Sequence, residues 1–201
     1  MLLQHQGLRE SKIRGLCMKE ILDDLKQNTI IAAIKNIKDV DLVLDRDVKV
    51  VFLLCGGILN IKDTVKRIKN KGKRVFAHID LVEGLGKDEE AVRFLKYVGV
   101  DGIITTKPTL IRAIKNENLI AIQRIFLLDS RSLETGIKNI LEDRPNAVEI
   151  MPGLAYKVIK KIHRHINVPV IAGGLILDKS DIENALSSGA VGISTSSRDL
   201  W

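Results

Sequence analysis

The chain has 201 residues, 45% hydrophobic and 28% charged, the balance of a folded globular protein rather than a disordered or fibrous one. Its cysteines, Cys17 and Cys55, belong to no CxxC pair and no Cys/His cluster, which excludes a disulfide framework and argues against metal or redox roles. A formal net charge of +7 suits an anionic ligand or nucleic acid, while 3% aromatic residues leave no stacking platform for splayed single-stranded bases.

In chain order, residues 1–17 (MLLQHQGLRESKIRGLC) hold no apolar stretch long enough for a signal peptide and read as a flexible extension. MKEILDDLKQ, Met18 to Gln27, carries Ile21, Leu22 and Leu25 on one helical face. Short apolar runs then recur: IIAAI from Ile30, VKVVFLL from Val48, RVFAHI from Arg74, DGIITT from Asp101, LIAIQRIFLL from Leu119, NAVEI from Asn146, VPVIAGG from Val168 and AVGISTS from Ala190. Continuous Val/Ile-rich runs without strict alternation predict parallel strands covered on both faces. Amphipathic segments separate them, among them IKDTVKRIKNKG, KDEEAVRFLKYVG, SLETGIKNILED and KSDIENALSSGA.

Eight such units predict an α/β fold, a compact (β/α)8 TIM barrel spanning residues 18–201 as one domain. A doubly wound sheet is disfavoured because the first strand lacks the glycine signature that should follow it. Only Ser197 to Trp201 follow the last strand, so the eighth helix is truncated, and the N-terminal helix at Met18 to Gln27 is expected to cover the bare flank. No run reaches the length of a membrane span, which predicts a cytoplasmic protein without a membrane partner.

IAGG at Ile171 to Gly174 and GISTSS at Gly192 to Ser197 end the last two strands. In barrels of this kind the loops after strands seven and eight bring backbone N–H groups and small side chains to a phosphate. Gly173, Gly174, Ser194, Thr195 and Ser196 are therefore the candidate phosphate site. Polar or charged contacts to the rest of a ligand are expected from Asp80, Lys107, Gln123, Arg124 and Glu149, all near strand ends. Each has an alternative use: Asp80, like Glu83, can cap a helix, Lys107 can be a surface lysine, and Arg124 and Glu149 can pair with each other. A small phosphate-binding barrel can also be an enzyme, aldolase- or isomerase-like, with Asp80, Glu149 and Lys107 as its chemistry.

Two basic stretches ride predicted helices. Lys66, Arg67, Lys69, Lys71 and Lys73 form one, and Lys160, Lys161 and Arg164 belong to the other. A solvated face is their default reading, and contact with RNA the sharper one. They follow strands two and six, on opposite sides of a barrel, so only a homodimer would bring them together.

The strings IAAIKN, VFLLCGGILNI, VFAHIDLVEGLG, DGIITTK, IQRIFLLDSRSLETGIK, EIMPG, IAGGLI and ISTSSRDLW, taken together, resemble the glycerol uptake operon antiterminator family from Met18 to Trp201. That resemblance implies a regulator without chemistry of its own and without a cofactor. It implies glycerol 3-phosphate as the effector and a leader mRNA of glycerol-utilisation genes as the partner, bound and stabilised so that transcription passes a terminator. One departure is LCGGI at Leu54 to Ile58, where the family pattern leads to an acid after the first glycine and this chain has Gly57.

Overall fold

The structure, a computed structural model, describes residues 18–201. The extension read at residues 1–17 lies outside the described residues. Eight parallel strands close into a barrel in sequence order: β1 Ile30–Ile34, β2 Val50–Leu53, β3 Arg74–His78, β4 Gly102–Thr105, β5 Ile120–Phe126, β6 Ala147–Met151, β7 Val170–Gly173 and β8 Ala190–Thr195. Closure is made by Ile30 to Ala32 of β1 pairing with Ile193 to Thr195 of β8. Helix α1, residues 18–27, precedes the barrel. The crossovers carry α2 Val40–Leu44, α3 Ile61–Lys69, α4 Glu89–Val98, α5 Ile111–Asn116, α6 Ser130–Asp143, α7 Tyr156–His165 and α8 Lys179–Ser187.

Local sequence explains where these helices start. Asp88, Asp129 and Asp178 are N-caps whose carboxylates accept the backbone N–H of Ala91, Ser132 and Asp181, and the latter two complete capping boxes. Short α2 and α5 are less legible in the sequence, since too few residues are available to show a helical period.

The core has three parts. One outer cluster lies under α2 to α5, with Val51, Val65, Val92 and Ile111 among its members; a second lies under α6 to α8 around Val148, Ile159, Ile162 and Ala185. The third fills the barrel interior, where Phe52 and Phe76 meet edge to face at 5.7 Å. Gly102 makes room for this pair, because a Cβ there would stand 2.6 Å from the Phe76 ring and 2.4 Å from the Ile120 carbonyl.

Helix α1 corrects the expectation drawn for it. Rather than covering a flank, it stops the end of the barrel at which the strands begin: Ile21 and Leu25 pack into the interior cluster with Ile31, Val50 and Phe76. Arg74, the first residue of β3, holds it there through Glu20 at 2.6 Å and Asp24 at 3.2 Å. The physical reason is area: an open barrel end exposes the apolar ends of several strands, more than one bare flank does. That flank is served instead by the 3-10 turn Arg198–Leu200 and by Trp201, whose indole N–H donates to the Thr195 carbonyl at 2.9 Å.

Candidate functional site

Along β5, β6 and β7 the inward positions are Ile122, Ala147 and Ile171. Two residues further on, strand alternation puts Arg124, Glu149 and Gly173 at the same face, just above the apolar interior. Arg124 and Glu149 are register partners on neighbouring strands, and the Arg124 Nε donates to Glu149 Oε2 at 2.7 Å. Both side chains are buried, 7% and 1% exposed. Nothing described in the protein donates to the other oxygen, Glu149 Oε1. It lies against Gly173, where a Cβ would come within 2.5 Å of it.

Above this pair opens a cavity of about 310 Å³, lined by Lys35, Arg124, Glu149 and Met151 on one side and by Gly174 to Leu177 and Ser194 to Ser197 on the other. The loop after β7 turns through two successive left-handed residues, Gly174 at φ +76° and Leu175 at φ +62°. A leucine in that region is strained, a feature found at ligand clamps. Gly174→Asp is expected to weaken binding of a phosphate ester at least about tenfold. Its Cβ would stand 2.6 Å from Met151 Cε, and its carboxylate would repel the dianion. Calorimetric titration with glycerol 3-phosphate checks this, and undiminished binding would move the site elsewhere.

Of the phosphate-site residues read from the sequence, Gly174, Ser194, Thr195 and Ser196 line this cavity, and Gly173 adjoins it by making room for Glu149. The Thr195 hydroxyl is already engaged: it donates to the Ile176 carbonyl at 3.0 Å and accepts from the Ser197 N–H at 3.1 Å. Thr195 thus shapes the loop, leaving Ser194 and Ser196 as the hydroxyl donors of that group. Lys35 and Ser197 join the lining. Lys35 follows the last residue of β1, so strand alternation from Ile31 and Ala33 was the signal for it.

Other candidates lie apart. Asp80 is spent on the end of β4, accepting from the Thr106 N–H at 2.7 Å and from the Thr105 and Thr106 hydroxyls. Lys107 is exposed beyond it, outside the cavity lining. Gln123 faces away from the interior, because its neighbour Arg124 faces inward; it lines a second groove beside α6. At the departure from the family pattern, Gly57 pairs backbone to backbone with Glu83, and a Cβ there would meet the Glu83 carbonyl at 3.3 Å. Burial pushes the Cys55 thiol up to about 11, so it carries little thiolate near neutral pH.

The two basic stretches lie on opposite sides of the barrel, one on α3 and the turn that follows it, where Lys71 and Lys73 stand, the other on α7, both toward the end at which the strands begin. Arg67 pairs with Asp41, Lys69 with Asp101 at 2.6 Å and Lys71 with Asp45 at 3.4 Å. Lys73 is buried and donates to the Val48 carbonyl at 2.8 Å, so its ammonium is not on offer to a nucleic-acid phosphate. Lys66, Lys160, Lys161 and Arg164 are exposed.

A closed parallel barrel with a cationic, hydroxyl-rimmed cavity outside the carboxyl ends of its strands is the architecture of a small-ligand-binding (β/α)8 protein. Residues 30–201 match the family model described as glycerol-3-phosphate responsive antiterminator, and the chain belongs to that family. It is 38% identical to the uncharacterized protein YgcP of Escherichia coli strain K12 over 182 residues, 90% of this chain and 95% of the relative. Among solved structures it is similar to a glycerol uptake operon antiterminator regulatory protein from Listeria monocytogenes, with TM-score 0.84, 35% identity and coverage of 87% and 95%. It is also similar to a glycerol uptake operon antiterminator-related protein from Thermotoga maritima, with TM-score 0.77, 41% identity and coverage of 86% and 96%.

Proposed function

We propose that this chain is a glycerol 3-phosphate-responsive transcription antiterminator that, with its effector bound, binds and stabilises the leader mRNA of glycerol-utilisation genes in the cytoplasm. The observation that carries the effector half is the buried Arg124–Glu149 pair under the cavity. It joins a cation for a phosphate ester to an acceptor, Glu149 Oε1, that has no donor among the described residues. An alcohol hydroxyl donating to that oxygen would satisfy it, while the phosphate takes Lys35, the Ser194 and Ser196 hydroxyls and backbone N–H groups of the β7 loop. At about 310 Å³ the cavity is at the small end for ligand sites, in keeping with a three-carbon ester. Family membership supports the RNA half.

Of the three residues the enzyme alternative would use, Lys107 lies outside the cavity and Asp80 is held by the end of β4, which leaves it Glu149, a cavity residue already paired with Arg124. Turnover of triose phosphates by the purified chain would restore that alternative.

Effector binding can promote RNA binding only if the two are coupled, typically by about 1–3 kcal/mol. The expected result is that leader RNA tightens glycerol 3-phosphate binding by about 5- to 150-fold in calorimetry, by reciprocity. An effector affinity indifferent to the RNA would exclude the proposed coupling. A gel shift across salt would add the number of phosphate contacts through its slope.

A further inference from the structure

The outer hydrophobic shell is split at β5: Ala121 belongs to the cluster under α2 to α5, Ile125 to the one under α6 to α8, and Gln123 stands between them. At that seam a groove of about 480 Å³ lies beside α6, bordered by Gln123, Thr106, Phe126, Arg131 and Asn139. Gln123 is only 2% exposed, yet its Oε1 has no hydrogen-bond partner among the described residues. A buried amide oxygen left this way is costly unless a ligand brings the donor.

We propose that this groove binds a nucleobase. Primary amides such as those of Gln123 and Asn139 pair a donor with an acceptor, matching the edge of a base. Phe126, at the end of β5 and 48% exposed, offers a ring face on which a base can stack. Arg131 gives the groove a cation for the attached phosphate, while the one carboxylate in the lining, Asp129, is engaged as the N-cap of α6 by the Ser132 N–H at 2.7 Å. The low aromatic content still excludes a platform for successive bases; one ring at one groove serves one base. Arg124 borders both this groove and the effector cavity, so a ligand in either bears on the same residue. That shared wall gives the coupling of effector to RNA a physical route. Taking the base from an unpaired nucleotide of RNA rests on the antitermination reading; a free mononucleotide offers the same chemistry.

The test uses the full chain with saturating glycerol 3-phosphate, and labelled homopolymeric ribo-oligonucleotides of A, C or U roughly ten nucleotides long. Unlabelled AMP, CMP, GMP and UMP form the second arm. The wild type is expected to favour one base, and Phe126→Ala and Asn139→Ala to weaken that preferred ligand about tenfold, with effector affinity in calorimetry unchanged. Gln123→Leu should erase the preference while melting no lower than the wild type, because it removes an unpaired buried amide. A preference that survives in all three variants overturns the groove, as does a wild type that binds oligonucleotides without preference and binds no mononucleotide. Mononucleotide binding lost in the same variants, with no oligonucleotide or leader RNA bound, upholds the groove and removes RNA from the proposed function.

Discussion

Arg124→Met is expected to destabilise the protein by about 3–5 kcal/mol, because it leaves the Glu149 carboxylate buried without its partner. For a chain of this length that corresponds to a fall in melting temperature of roughly 10 °C. Urea or thermal denaturation measures it directly. The informative companion is the double variant Arg124→Met/Glu149→Met, in which both charges are replaced by apolar side chains of similar length. Removing a buried pair together is often neutral or stabilising, so the double variant should recover most of the lost stability. It should not recover glycerol 3-phosphate binding, since the cation and the unpaired acceptor are both gone. A single variant as stable as the wild type would show the pair to be solvated and the site description wrong. A double variant that still binds the ester would place the effector elsewhere.

Acid sensitivity is the second large effect, and it comes from His78 at the end of β3. Its side chain is 3% exposed, and its Nδ1 is buried without a hydrogen-bond partner among the described residues, 3.7 Å from Asp80 Oδ2. Burial, reinforced by the positive charge of Arg124, pushes the imidazole from its ordinary 6.5 down to about 4. The folded protein therefore keeps His78 neutral at pH values where the unfolded chain binds a proton. Because the unfolded state holds more protons in that window, stability rises with pH between about 4 and 6.5 and is lost as pH falls through it. The gap amounts to about 3 kcal/mol at its full extent. Chemical denaturation at pH 7 and at pH 4.5 should show this loss in the wild type and a smaller one in His78→Gln, which cannot titrate. Equal losses in the two proteins would mean that His78 does not set the acid limit.

The site was partly legible before folding. Glycines and hydroxyl residues ending the last two strands marked the loops that line the cavity, since a (β/α)8 barrel puts its ligands at that rim. Arg124 and Glu149 were readable as a pair or as ligand contacts, and the structure makes them a pair bordering the candidate cavity. The direction of Gln123 could have been found from the same pattern. Adjacent strand residues face opposite ways, so once Arg124 turns inward, Gln123 cannot. What the Thr195 hydroxyl does was not readable, because its acceptor, the Ile176 carbonyl, comes from the neighbouring loop.

The sequence by itself determined the order of the strands, the closed parallel barrel and the end of it at which the candidate cavity opens, because apolar runs and turn residues are local properties that act within each βα unit. Tertiary structure alone decided that α1 stops the barrel rather than flanking it, that Lys73 is buried, and that Arg124 borders two cavities at once. Those outcomes depend on surfaces that exist only after distant strands have closed, where the apolar area covered and the pairing of buried charge outweigh any preference of the segments themselves.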